Sequence, residues 1–204
     1  MDKEDLLMHV AETGYNVGFG SCKHFATFDI VSKTPGWIGF MSIAFGVYAL
    51  IFDSLADKFY SATFVVIGVI GLYVAFYDEG KSNYESAGIK LRRLYNNLRQ
   101  LYYRVKSSNP TDFDGLLQEL KDIESEYYST AITKQILFSD WYAHFKFFWQ
   151  LQIEWVDEKK KFTFFRDKIP LSAYLILSLI VIFLVVIVFS KSDTYTNCFG
   201  KVFS

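Results

Sequence analysis

The sequence has little cysteine and little proline, and it carries no charge where its apolar residues gather. Its 204 residues include two cysteines, Cys22 and Cys198, too few to staple a fold together. Three prolines leave room for long helices. Pro35 and Pro170 stand where the first turn of an apolar helix is expected, a place where a missing N–H is no loss. Pro110 sits in SSNPT between two polar helices. The formal net charge is −1, so the overall basic excess of a nucleic-acid-binding chain is missing. Also missing are a P-loop, GxGxxG, HExxH, GxSxG and CxxC, and with them the common phosphate-cradling, dinucleotide, metalloprotease, serine-hydrolase and dithiol chemistries. The GFG at Gly18–Gly20 precedes no clear phosphate-binding helix. Asp140 and His144 lie one helical turn apart, as metal ligands can, but no third ligand is near them. An enzyme would have to rest on His24 or His144, and neither has a convincing partner. No catalytic residue, metal or cofactor is expected.

The chain is rich in apolar residues, which make up 51% of it, and in aromatic residues, which make up 19%. They are concentrated in three uncharged runs. Residues 35–52 (PGWIGFMSIAFGVYALIF) lie between Lys33 and Asp53, and residues 59–77 (FYSATFVVIGVIGLYVAFY) between Lys58 and Asp78. Residues 169–190 (IPLSAYLILSLIVIFLVVIVFS) lie between Lys168 and Lys191. A helix crosses a hydrocarbon core of about 30 Å with about 20 residues, and the third run would reach about 33 Å. The first 34 residues are mixed and open on the acidic MDKEDLL, unlike a signal peptide. A resident membrane protein is therefore expected.

Lys159, Lys160, Lys161, Arg166 and Lys168 cluster just before the third run, whereas the tail 191–204 keeps only Lys191 and Lys201. The positive-inside rule then places the N-terminus and residues 78–168 in the cytoplasm and the C-terminus outside. That separates Cys22 from Cys198. The expected fold is an all-α integral membrane protein. It has an interfacial N-terminal segment (1–34), a transmembrane hairpin (35–77), a cytoplasmic helical bundle (78–168), a third, C-terminal transmembrane helix (169–190) and an external tail (191–204).

In the cytoplasmic part, Tyr84, Ala87, Leu91, Leu94, Leu98, Leu101 and Val105 recur at threes and fours, the spacing of a coiled-coil seam. Phe113, Leu116, Leu120, Ile123 and Tyr127 continue it after a turn, with Thr111 or Asp112 as the N-cap. Residues 79–106 carry a net +5 and residues 112–126 a net −5. An antiparallel hairpin, or the same pairing between subunits, explains this. A basic surface for a phosphate-bearing ligand, built from Lys90, Arg92, Arg93 and Arg99, is the functional alternative. The aromatic stretch 139–162 suits a membrane interface or subunit packing, and base stacking is its alternative. The aromatic segment near residues 15–31 suits the inner interface beside the first run.

No charge lies inside any run, which argues against a proton relay through the bilayer. Ser42 and Gly46, and Gly71 and Ala75, are small pairs four apart where spans can touch. A pore between the first two runs would be lined by Ser, Thr, Tyr and Gly, with Asp53, Asp57, Asp78 and Glu79 at its mouths favouring cations. One chain cannot enclose such a pore, so a homo-oligomer is expected, with a tetramer among the candidates.

The stretches YNVGFGSCKHFATFDIV, GWIGF, VIGLYVAFYDEGKSNYESAG, LRQLYYRVKS, KQILFSDWYAHFKFFWQLQIEW and FFRDKIPLS occur in an order and spacing that resemble the SLATT domain. This is a two-helix membrane effector of bacterial nucleotide-signalling antiphage systems, and the resemblance is to its reverse-transcriptase-linked fifth subfamily. The resemblance implies a pore-forming effector of the bacterial inner membrane, gated by a nucleotide or oligonucleotide messenger. It also implies a nucleotidyltransferase-like or reverse-transcriptase partner encoded beside it. A membrane-anchored scaffold that docks a partner enzyme without forming a pore is the competing reading.

Overall fold

The computed structural model describes residues 2–108 and 113–200, with the backbone alone at Ala56 and from 188 onward. Among these residues it is all-helical, without a strand. Its first helix, α1 (Lys3–Ala49), sets the plan. Asp2 starts it with a capping box: its carboxylate accepts from the Asp5 N–H at 2.8 Å, and the Asp5 carboxylate accepts from the Asp2 N–H at 3.3 Å. Glu4 and Asp5 in the first turn suit the helix dipole.

α1 changes character along its length. From Leu6 to Val31 it is buried on nearly every side, through Leu6, Leu7, Val10, Ala11, Val17, Ser21, Cys22, Ala26 and Val31. After Val31 burial stops, and Trp37, Phe40, Met41, Ile43 and Val47 are exposed. Residues 1–34 are therefore not an interfacial segment beside the first apolar run. They are the central helix of the bundle, continuous with that run. Pro35 also lies inside this helix and not at its start. It has no N–H to offer the Val31 carbonyl, so a helical hydrogen bond is missing where the buried part ends.

A 3-10 turn (Asp53–Ala56) leads into α2 (Lys58–Ala75), which Asp57 caps by accepting from the Phe59 N–H at 3.0 Å. α2 packs back on the outer half of α1, with the Phe45 ring 4.5 Å from that of Phe64 and 5.7 Å from that of Tyr60. α3 (Lys81–Ser107) and α4 (Asp114–Thr130) follow. The apolar seam of α3 is buried as its spacing predicts, but it packs chiefly on α1 and not on α4. α4 joins α3 through charge: Lys90 pairs with Glu126 at 3.2 Å, and Arg104 pairs with Glu119. The opposed charge blocks thus form a hairpin within one chain. Thr111 and Asp112 lie outside the described residues, and Phe113 occupies the N-cap position of α4.

α5 (Ser139–Phe145), a π-helical turn (Lys146–Gln150) and α6 (Glu154–Lys160) wrap the remaining side of α1. The aromatic stretch is accordingly divided. Phe147 and Trp155 are core residues against α1, while Trp141, Phe145 and Trp149 face outward. Close approach demands glycine on α1. A side chain at Gly14 would overlap the Trp155 indole, and a Cβ at Gly18 would lie 2.8 Å from the Tyr95 ring.

A second compact unit begins at Phe162. It holds the short α7 (Phe164–Asp167) and α8 (Leu171–Gly200), with Pro170 immediately before α8 as expected. The Tyr174 hydroxyl donates to the Phe165 carbonyl at 2.7 Å and ties the two helices together.

The fit around α1 makes a definite prediction. Gly14→Val should destabilise the bundle by about 1 to 3 kcal/mol, because a packed indole must move. Gly36→Ala, with open space around it, should leave the thermal midpoint of far-ultraviolet circular dichroism unchanged or slightly raised.

Candidate functional site

The four basic residues of α3 do not form one surface. At 100° per residue Lys90 and Arg92 point about 200° apart, so they leave the buried seam on opposite flanks. Lys90 and Arg93 line a hollow of about 450 Å³ against α4, with Ser86, Ile89, Leu94, Asn97 and Glu126. The Lys90 charge is already met there by Glu126. Arg92 and Arg99 face the opposite side, toward the π turn and the chain beyond it. Arg99 donates to the Gln152 side-chain oxygen at 2.8 Å.

Arg92 lies beside a small pocket of about 180 Å³, lined by Phe25, Phe28 and Asp29 of α1, by Lys146 and Gln150 of the π turn, and by Leu151. Its guanidinium donates to the Cys22 sulfur at 3.6 Å and sits 5.7 Å from the centre of the Phe25 ring. Burial pushes the Cys22 thiol up, and the nearby Arg92 only partly offsets this, so the thiol is protonated at neutral pH. Asp29 is bracketed by two amines, Lys33 at 2.7 Å and Lys146 at 2.6 Å. Burial alone would raise its carboxyl, but the hydrogen bonds and charges of the two lysines outweigh that and hold it below the ordinary value. Sequence reasoning missed Lys146 and Asp29, because they meet only when the π turn folds back on α1.

A second cluster joins bundle and hairpin. Residues 131–137, between α4 and α5, form an extended strap held by three helices. The Ile132 N–H donates to His24 Nε2 at 2.9 Å, and Thr27 donates to the Gln135 side chain. The Tyr84 hydroxyl donates to the Lys134 carbonyl at 2.6 Å, and that of Tyr77 to the Gln135 carbonyl at 3.4 Å. The Leu137 N–H donates to the Tyr73 hydroxyl at 3.2 Å. Ile136 is buried with Val31 and Val74. The strap ends at Phe138, whose φ of 67° is costly for an aromatic residue, about 1 to 2 kcal/mol. His24, which had no visible partner in the sequence, is therefore a structural tie. Because Nε2 accepts, the proton sits on Nδ1, 2.7 Å from the Gly20 carbonyl.

The other expected site residues are spread along the hairpin. Asp53 and Asp57 lie at its tip and Asp78 and Glu79 at its base, where Asp78 pairs with Lys81 at 2.8 Å. Of the small residues, Gly71 is closely approached by Ile38, and Ser42 is half-buried. Gly46 has open space around it and Ala75 is exposed, so neither is a close contact between the two helices of one chain. Asp140 is taken up by Lys23 at 2.6 Å, and the His144 ring lies 4.6 Å from that of Phe148. No cluster of metal-ligating side chains occurs among the described residues.

The sequence model of one family, SMODS and SLOG-associating 2TM effector domain 6, matches residues 1–177. The chain belongs to the SLATT family. The match is to domain 6, not to the fifth subfamily that the motifs suggested, and it brings no link to a reverse transcriptase. Comparison with curated proteins and with solved structures gives no match. SLATT domains are two-transmembrane effectors associated with nucleotide-signalling defence systems, not a known catalytic family. By length and composition Lys58–Ala75 is the one helix among the described residues apolar enough to cross a membrane, with Leu171–Ile187 a shorter apolar helix. The stretch 15–31 lies in the central helix and supplies His24 and the Phe25–Asp29 wall of the pocket, and the stretch 134–155 supplies the end of the strap, the π turn and Trp155.

The His24 tie has a pH signature. Burial lowers its pKa from 6.5, so protonation is resisted in the folded state. The unfolded chain then binds the proton more readily, and stability is fully present above pH 6.5 and is lost as the pH falls below it. The thermal midpoint should drop over that range. His24→Gln should start lower by about 1 to 2 kcal/mol and lose this component of the drop.

Proposed function

We propose that this SLATT protein is a pore-forming ion-channel effector of an antiphage abortive-infection system, gated by a nucleotide-derived or oligonucleotide signal. The observation that carries the reading is α1 itself. One helix is buried in a bundle up to Val31 and then continues as a helix whose large apolar side chains are exposed, and α2 pairs with it in the same condition. Such a contiguous apolar surface is stable in water only if lipid or other copies cover it. The first two helices form the membrane hairpin, and α8 is a third span. The bundle and the N-terminus lie on the cytoplasmic side of the inner membrane, with the C-terminus outside.

A hairpin of two helices encloses no pore, so the channel is a ring of copies, a tetramer being one closed solution. Gly46 and Ala75, open within one chain, are surfaces on which neighbouring copies can approach closely. The wall is then uncharged, and Asp53 and Asp57 at one mouth and Asp78 and Glu79 at the other favour cations. The bundle shares α1 with the pore, so a ligand that changes the bundle acts directly on a pore helix. A nucleotidyltransferase-like or reverse-transcriptase protein from the same operon would supply the signal.

The test is ion flux from liposomes holding the purified full-length chain, with and without synthetic oligoadenylates. Flux that depends on the oligonucleotide, together with membrane depolarisation in cells expressing both signal enzyme and effector, is expected. Absence of flux under all these conditions, with membrane potential retained, overturns the channel in favour of a membrane-anchored scaffold.

A further inference from the structure

Resting on that reading, we infer that the pocket between Arg92, Lys146 and Gln150 is the phosphate-binding point of the sensor. Three features of the pocket converge on this assignment. First, Arg92 is half-buried, yet it has no carboxylate against it among the described residues; its neighbours are a protonated thiol and a phenyl ring. A guanidinium carries five N–H donors in a planar fork suited to phosphate, and here one of them meets a soft sulfur.

Second, the one acid in the pocket is already neutralised. Asp29 receives Lys33 on one oxygen and Lys146 on the other, and the last pair is shielded, with side chains 16% and 15% exposed. Of the charges lining the pocket, Arg92 and Lys146 against Asp29 leave one positive charge in excess, and the exposed Lys33 adds a second beside it. On the opposite flank of α3 the corresponding cation, Lys90, is matched by Glu126. The acids of α4 therefore meet the basic block on one flank, at Lys90 and Arg104, and not on the other.

Third, the pocket is built on a π turn. The Leu151 N–H donates to the Lys146 carbonyl at 3.0 Å, closing the wider i to i+5 ring, a rare local geometry that recurs at functional sites. It brings Lys146 and Gln150 to the same wall. At about 180 Å³ the pocket is smaller than the 300 Å³ or more of a site that engulfs a whole small molecule. It takes a phosphate group and leaves the rest of the ligand outside, past Phe28 and Leu151. Phe25 and Asp29 stand on α1 within three turns of Pro35, so a phosphate seated here ties α3 and the π turn across α1 just before that helix leaves the bundle.

A phosphate group can come from a soluble nucleotide or from a lipid headgroup, and the experiment separates the two. Full-length protein is placed in nanodiscs of phosphatidylcholine alone, and binding of 5′-phosphorylated triadenylate and of pyrophosphate is titrated. A parallel set of discs contains phosphatidylglycerol and no soluble phosphate, with thermal stabilisation as the readout. Expected is binding that weakens about tenfold or more in Arg92→Gln and in Lys146→Met, and changes less than about twofold in Arg93→Gln. Arg92→Lys keeps the charge but loses the fork; it should weaken binding several-fold and serves should Arg92→Gln not fold.

Stabilisation by phosphatidylglycerol alone, lost in the same variants, keeps the pocket and names lipid as its source. No binding in either set, or binding that survives Arg92→Gln and Lys146→Met in folded protein, overturns the assignment. Flux measured on the same protein and variants reconstituted in liposomes keeps the two readings apart. Binding without flux removes the channel and leaves the pocket, and flux without binding does the reverse.

Discussion

Everything in the first unit depends on α1 answering to two solvents in one unbroken helix. Up to Val31 it is solvated by protein, and its last 18 residues expose phenylalanine, isoleucine and valine. The inner half solves its problem with small residues. Ala11, Gly14, Gly18, Ser21, Cys22 and Ala26 let α3, α5 and α6 approach on different sides, and Trp155, Tyr95 and Phe147 fill the space so created. The outer half is not solved within the first unit, because α2 covers only one side of it. An element whose two halves need different surroundings fixes the bundle at the boundary between those surroundings. That is why the strap, the π turn and Pro35 all gather near residues 24 to 35.

How much of this the sequence made legible follows from the same contrast. α3 and α4 are one-sided helices, so their apolar residues fall at threes and fours and both helices, with most of their buried positions, could be read directly. The uncharged runs were plain for the same reason. α1 was not legible as a bundle helix, because a helix buried all round has no stripe; its glycines, serines and threonines look like loop or interface residues until Trp155 is seen against Gly14. The partner of the α3 seam is hidden for the same reason. Spacing shows that a seam exists but not which helix fills it, and the nearest in sequence, α4, was only the charged neighbour. Pro35 was misread similarly, as a helix start, since sequence alone does not show a helix running through it.

The basic surface shows how composition and geometry part company. Lys90, Arg92, Arg93 and Arg99 are close in sequence, and a charge count treats them as one patch. Helical rotation sends them to two flanks, and only on one does an acidic helix lie alongside. The acid that matters on the other flank, Asp29, comes from α1 and the second cation, Lys146, from the π turn, over 50 residues away in sequence. No local window contains that site. A signal for it was present only in the combination of the stretch at 15–31 with the one at 134–155, which the fold places face to face.

Under the proposed reading, the junction also says why a binding event in the bundle would not have to be large to matter. Pro35 removes one hydrogen bond from α1 where packing ends, so bending there costs less than anywhere else along the helix. On the near side, His24 and Thr27 hold α1 to the strap, and the strap holds Tyr73 and Tyr77 at the base of α2. The two helices of the hairpin are thus tied at one level to a single extended segment, through polar contacts of moderate strength and the small apolar cluster of Val31, Val74 and Ile136. A hinge beside a shared tie converts a displacement of α1 into a displacement of both hairpin helices together. Packed cores respond to such displacements by switching between discrete arrangements rather than by gradual deformation. The same physical arrangement that lets one helix serve two solvents therefore gives the bundle mechanical access to the hairpin.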